Sequence, residues 1–131
     1  MMHAKGTFEI SATASPPYDT ADGARLSRTN IAKTLSGDLE ATSVVEMLSA
    51  TTDVKGSAGY VALERVHGAL HGKHGTFVLQ HSGTMTRGTP TLSVTVVPDS
   101  GTAGLKGIAG TMTIDIVNGK HSYTFDYVLG S

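Results

Sequence analysis

Apolar residues recur at every second position along well-separated stretches, and this periodicity constrains the chain more than any other feature. Phe8, Ile10 and Ala12 alternate with Thr7, Glu9 and Ser11. Leu92, Val94 and Val96 alternate with Thr91, Ser93 and Thr95, and Met112, Ile114 and Ile116 with Thr111, Thr113 and Asp115. Tyr123, Phe125 and Tyr127 then alternate with Ser122, Thr124 and Asp126. Successive side chains leave a strand on opposite sides, so a period of two with one apolar face describes half-buried strands. The 16 glycines point the same way. Spaced every few residues, they interrupt any helix before its propagation offsets the cost of nucleation.

Turn signals separate the alternating runs. Asn118-Gly119 lies between the last two and suits a type I′ hairpin, in which both central residues need positive φ. Gly72-Lys73-His74-Gly75 reads as a second hairpin, and Pro98-Asp99-Ser100-Gly101 as a further reversal. Ser15-Pro16-Pro17 must leave the sheet, because consecutive prolines cannot feed a ladder. Thr20–Ala24 is the one place for a short helical turn. The runs predict about eight strands, near residues 5–13, 25–35, 38–50, 57–69, 75–86, 89–97, 104–117 and 120–129. A weak repeat, Leu-x-Gly-x-x-Gly-Thr-bulky, occurs at Leu70–Phe77 and Leu105–Met112, and Leu35-Ser36-Gly37 echoes its start. Consecutive hairpins leave two sheet edges exposed, and closing the sheet removes both. The expectation is an all-β fold, a single eight-stranded antiparallel β-barrel of meander hairpins, favoured over an open sandwich.

The whole chain, residues 1–131 and 13.5 kDa, is one domain's worth. Ten Lys plus Arg against 11 Asp plus Glu give a net charge of −1. That balance lacks the footprint of a protein that lives on nucleic acid or anionic lipid, so neither nucleic acid nor membrane is an expected partner. No apolar run approaches the roughly 20 residues of a spanning helix. The N-terminus, Met1-Met2-His3-Ala4-Lys5-Gly6, has no apolar signal core, and a cytoplasmic location is expected. The absence of cysteine excludes disulfides and thiolate chemistry.

Several ordered motifs carry a resemblance. Asp22-Gly23-Ala24-x-Leu26-x-Arg28, Lys33-Thr34-x-Ser36-Gly37-Asp38-Leu39-Glu40 and Leu63-Glu64-Arg65-Val66-x-Gly68 come first. Gly75-x-Phe77-Val78-Leu79-Gln80-His81-x-Gly83 and Val97-Pro98-x-Ser100-Gly101-Thr102-x-x-Leu105-x-Gly107 follow. Together they resemble a bacterial family of unknown function whose members are small barrels similar to plant allene oxide cyclase. The resemblance spans about residues 6 to 129 and implies an eight-stranded antiparallel barrel with a central cavity. It implies no activity, and the catalytic pattern of allene oxide cyclase does not map residue by residue onto this chain. A shared barrel is an analogy of architecture.

Polar side chains on apolar faces are the candidate site. Taking Val61 and Leu63 as inward places Arg65 and His67 inward too. His81 follows Phe77 and Leu79, and Glu46 sits between Val44 and Leu48. On these faces Glu46, Arg65 and His81 meet on neighbouring strands about 4.8 Å apart, with Tyr123 and Tyr127 adding hydroxyls. One reading is a structural ion pair completed by a histidine. The other is a ligand site in which Arg65 holds a carboxylate or enolate oxygen, His81 moves a proton and Glu46 orients one of them. If the faces are reversed, Tyr60, Glu64 and Gln80 become the interior polar group.

Other constellations are poorer. His67, His71, His74 and His81 lack a local metal-ligand spacing, and neither metal nor cofactor is implied. Asp38, Glu40 and Glu46 read as a solvated rim before they read as a carboxylate pair. Gly104–Gly110 opens a strand and not a helix, so it lacks a phosphate cradle. Ser82 has no nucleophile motif around it. Arg25, Arg28 and Lys33 form a basic stripe without interleaved aromatics.

The functional expectation is binding of a small hydrophobic or amphipathic molecule inside the barrel, with an isomerase- or cyclase-like step as one outcome. The alternative is a side-chain-filled barrel acting as a non-catalytic oligomeric module. Val45, Met47, Val66, Val78, Val97 and Val128 fall opposite the assigned core. That second apolar face is the basis for expecting a homo-oligomer, most simply a dimer.

Overall fold

A computed structural model describes residues 1–130. Its strands are β1 (Met2–Ala14), β2 (Ala24–Gly37), β3 (Leu39–Thr52), β4 (Ala58–Leu70), β5 (Lys73–Thr86), β6 (Thr89–Val96), β7 (Ile108–Val117) and β8 (Lys120–Leu129). Each pairs antiparallel with its neighbour in sequence, and β8 returns to β1, closing an eight-stranded meander barrel. Three tight turns are built from paired left-handed residues: His71-Gly72 at φ 47° and 81°, Arg87-Gly88 at 47° and 92°, and Asn118-Gly119 at 53° and 76°. This is the type I′ geometry, whose twist matches that of the strands it joins. The second hairpin therefore turns on His71-Gly72, two residues earlier than the Gly72–Gly75 tetrad suggests. A 3-10 turn at Ala21–Gly23 occupies the expected helical position.

The stretch from residue 97 to 107 departs from the expectation of a strand beginning at 104. It is a loop containing a second 3-10 turn, Ala103–Leu105, folded back on the part of β5 that β6 leaves uncovered. Thr76 N–H donates to Thr102 Oγ1 at 3.0 Å, Thr102 N–H to the Thr76 carbonyl at 2.9 Å, and Val78 N–H to Ser100 Oγ at 3.0 Å. Leu105 is thereby driven into the barrel and fully buried.

The two ends of the barrel differ. The end that carries the start of β1, the end of β8 and the Leu105 loop is sealed by Leu39, Leu70, Phe77, Phe125 and Tyr127, none more than 1% exposed. Phe77 and Phe125 stack at 5.6 Å between centroids, and Phe125 and Tyr127 at 5.3 Å, within the range of favourable aromatic pairs. At the other end the same inward phase continues but is not filled. Ile10 lies two residues beyond buried Phe8 and is 44% exposed. Leu92 lies two residues before buried Val94 and is 43% exposed. Ile31, Met47, Tyr60 and Ile114 are half-buried there. The wall is also thin on one side, since β6 meets β7 at a single register pair, Thr95 with Thr111.

Candidate functional site

Between the sealed plug and the open end, four strands each place one polar side chain inside the barrel. Lys33 comes from β2, Ser43 from β3, Glu64 from β4 and His81 from β5, and all four are buried. They converge on the Glu64 carboxylate. Lys33 Nζ donates to Oε1 at 3.2 Å, His81 Nε2 lies 2.7 Å from the same oxygen, and Ser43 Oγ donates to Oε2 at 2.6 Å. Lys33 Nζ also lies 4.5 Å from the centroid of Phe8, a cation–π contact that helps hold a desolvated ammonium.

Burial pushes the Glu64 carboxyl up, but the His81 hydrogen bond, the Lys33 charge and the Ser43 hydrogen bond outweigh it. The net result is a carboxylate held below its ordinary range. Tyr60, half-buried and inward on β4, stands on the open side of this cluster with its ring 6.4 Å from that of His81. Burial, and then the Glu64 charge, push its phenol up, so it stays a hydrogen-bond donor.

His81 is inside, as its alternation with Phe77 and Leu79 indicates. Glu46 and Arg65 are not: both are exposed on the outer face. Glu46 there accepts hydrogen bonds from Arg28 Nε at 3.0 Å and Asn30 Nδ2 at 2.6 Å. The three residues therefore do not meet. The reversed phase holds for β3 and β4, with Tyr60 and Glu64 inward, whereas Gln80 is outward because β5 keeps the assigned phase. Val61 and Leu63, taken as inward, are 53% and 55% exposed, while Val45 and Val66 are core. The physical cause is that β3 and β4 carry aliphatics on both faces, so alternation alone does not fix their phase. The signal that does is at the turns: Leu39 and Leu70, the strand residues next to the reversals, are fully buried, and counting from them by twos reaches Ser43 and Glu64.

Tyr123 and Tyr127 are interior but lie at the sealed end. Tyr123 Oη accepts from Leu39 N–H at 2.9 Å and donates to the Ser36 carbonyl at 2.9 Å. Tyr127 Oη is bonded to His71 Nδ1, and His71 Nε2 in turn lies 3.7 Å from Asp38. These hydroxyls clamp the β2–β3 and β4–β5 turns and do not face the open end. His67 and His74 are exposed. Among the described residues no group of three His, Cys, Asp or Glu is placed to hold a metal ion.

The sequence profile "Protein of unknown function (DUF3224)" matches residues 4–127. The chain belongs to the DUF3224 family. A crystal structure of a DUF3224 protein of unknown function from Shewanella oneidensis MR-1 superposes with a TM-score of 0.95 at 48% identity, covering 100% of this chain and 99% of that one. No curated protein matches the sequence. The same barrel is thus shared with that DUF3224 protein.

Proposed function

We propose that the protein binds one small amphipathic molecule in the open end of the barrel, its apolar part against Ile10, Ile31, Met47, Leu92 and Ile114 and its polar head toward Tyr60 and His81. The observation that carries this reading is the exposure of inward-phase aliphatics above a buried polar floor. Apolar surface facing water at the end of a closed wall is what a hydrophobic ligand covers. The floor is charge-balanced, since Lys33 neutralises Glu64, so it favours a head that is polar but uncharged. The similarity of such barrels to allene oxide cyclase is consistent with a ligand of this kind and belongs to the same proposal.

The test is a series of n-alkanols from hexanol to decanol, titrated into protein with labelled Met, Ile and Leu methyls. The Met47, Ile114 and Leu92 methyls are expected to shift. Affinity should rise about fourfold per added methylene, the equivalent of ~0.8 kcal/mol for each buried CH₂. Uniform spectra at saturating alkanol would refute it.

A second reading, an assembly module, has its own observation. Val44, Leu48, Val61 and Leu63 are each about half exposed on the outer faces of β3 and β4. Leu48, Val61 and Leu63 border a groove of about 610 Å³ together with Arg28, Glu46 and Gln80. This patch supports self-association. It replaces the earlier basis for an oligomer, because Val45 and Val66 are core and Met47 points inward.

A further inference from the structure

We infer that Glu64 and His81 form a proton-transfer dyad whose base is His81 Nδ1, and that the ligand class it serves is an amphipathic ketone or enone with a C–H acidified by the carbonyl. The inference rests on the binding reading above and deepens it.

The tautomer follows from counting hydrogen bonds. An ionised carboxylate only accepts, and Glu64 Oε1 lies 2.7 Å from His81 Nε2, so Nε2 carries the proton and the neutral ring has its lone pair on Nδ1. Among the described residues no fully buried side-chain nitrogen or oxygen lacks a partner. Nδ1 has no hydrogen-bond partner among the described residues, so it is an accessible lone pair on an inward-pointing ring. A carboxylate on one ring nitrogen and a free lone pair on the other is the arrangement that fixes a histidine as a general base and stabilises the imidazolium that forms. Lys33 helps keep Glu64 ionised through its charge and its hydrogen bond to the same carboxylate.

Tyr60 supplies the second requirement. Its hydroxyl has no hydrogen-bond partner among the described residues, lies on the same inward face as His81, and is held protonated by burial and by the Glu64 charge. A phenol donor beside a base is the pair needed at a carbonyl. The C–H bond next to the carbonyl breaks, its proton passes to Nδ1, and the electron pair moves into the enolate, whose oxygen takes the Tyr60 hydrogen bond. The imidazolium swaps its Nδ1 proton with solvent and delivers one to the same carbon, giving exchange, or, from the dienolate of a β,γ-unsaturated ketone, to the γ-carbon, giving a shifted double bond. No oxidant, reductant or metal enters the balance.

The experiment uses 2-octanone in D₂O with the full chain. Methyl spectra read binding, loss of the protons next to the carbonyl reads transfer, and long-range ¹H–¹⁵N spectra of the free protein read the His81 tautomer. The expected result has four parts: shifted Met47 and Ile114 methyls, an Nε2–H tautomer, exchange faster than in buffer, and a loss of about 10²–10⁴-fold in that rate for His81→Gln. Tyr60→Phe, which leaves the Glu64 cluster intact, should lose at least tenfold while still binding. An Nδ1–H tautomer in the wild type overturns the dyad without any variant. Shifted methyls with exchange no faster than in buffer overturn the dyad and leave the binding reading standing. Unshifted methyls overturn both.

Discussion

Glu64 accepts three hydrogen bonds at 0% exposure, so an amide in its place leaves the Lys33 charge buried without a counter-charge and turns one acceptor oxygen into a donor. Glu64→Gln should cost about 3–5 kcal/mol at neutral pH, the usual penalty for breaking a buried charged network from one side; equilibrium urea unfolding reads it. The pH dependence has a definite sign. The folded pKa of Glu64 lies below the unfolded value of about 4.3. Its contribution is therefore complete above that value and lost as pH falls through the folded pKa. Acid titration of stability should be steeper for the wild type than for Glu64→Gln below about pH 4. Equal slopes would mean that Glu64 is not the group responsible. At the sealed end, Tyr123→Phe removes the acceptor of Leu39 N–H and the donor to Ser36. An unsatisfied buried amide costs about 1–3 kcal/mol, and a midpoint unchanged from wild type would contradict that role.

Elements bring these residues together through register, and glycine sets how closely they approach. On β4, a Cβ at Gly68 would stand 2.2 Å from the Glu40 carbonyl oxygen, whereas one at Gly59 meets nothing closer than 3.7 Å. Gly68→Ala should destabilise by about 1–3 kcal/mol through overpacking, and Gly59→Ala on the same strand should fall within about 0.5 kcal/mol of wild type. Equal effects would show that the β3–β4 approach is not what Gly68 permits. The single pair joining β6 to β7 makes a second prediction. Amide hydrogen exchange at residues 91–94 should outpace that at residues 61–66, where β4 is paired on both sides. These strands, their antiparallel order and the Asn118-Gly119 turn were legible in the sequence, because alternation and left-handed turn residues are local properties. The phase of β3 and β4 was not. Val44 beside Val45, and Val61 beside Ala62 and Leu63, offer both faces to a core, and a one-residue choice exchanges Glu64 for Arg65.

At the scale of the molecule, closure removes every sheet edge except the loosely joined β6–β7 seam, so contacts with other molecules fall to the open end or to the outer face. If the β3–β4 patch joins two copies, light scattering during size exclusion will give twice 13.5 kDa. Leu63→Glu would return the mass to that of one chain while leaving the interior cluster intact. A single-chain mass for the wild type at high concentration would dismiss the assembly reading and leave the open end as the functional surface.

The sequence by itself determined the all-β class, the number of strands, the Asn118-Gly119 turn and the inward position of His81. Each of these follows from spacing along the chain: a period of two, glycine at positive φ, and polar residues within apolar runs. Only the tertiary structure decided which carboxylate accompanies His81 and that the barrel is sealed at one end and open at the other. The phase of a two-faced strand is set by its neighbours' register and by anchors far away in sequence, such as Tyr123 holding Leu39. The seal depends on a loop, residues 97–107, whose Leu105 reaches the core only because β5 offers Thr76 and Val78 as hydrogen-bonding partners. Both are consequences of closing the barrel, and closure is a property of all eight strands together.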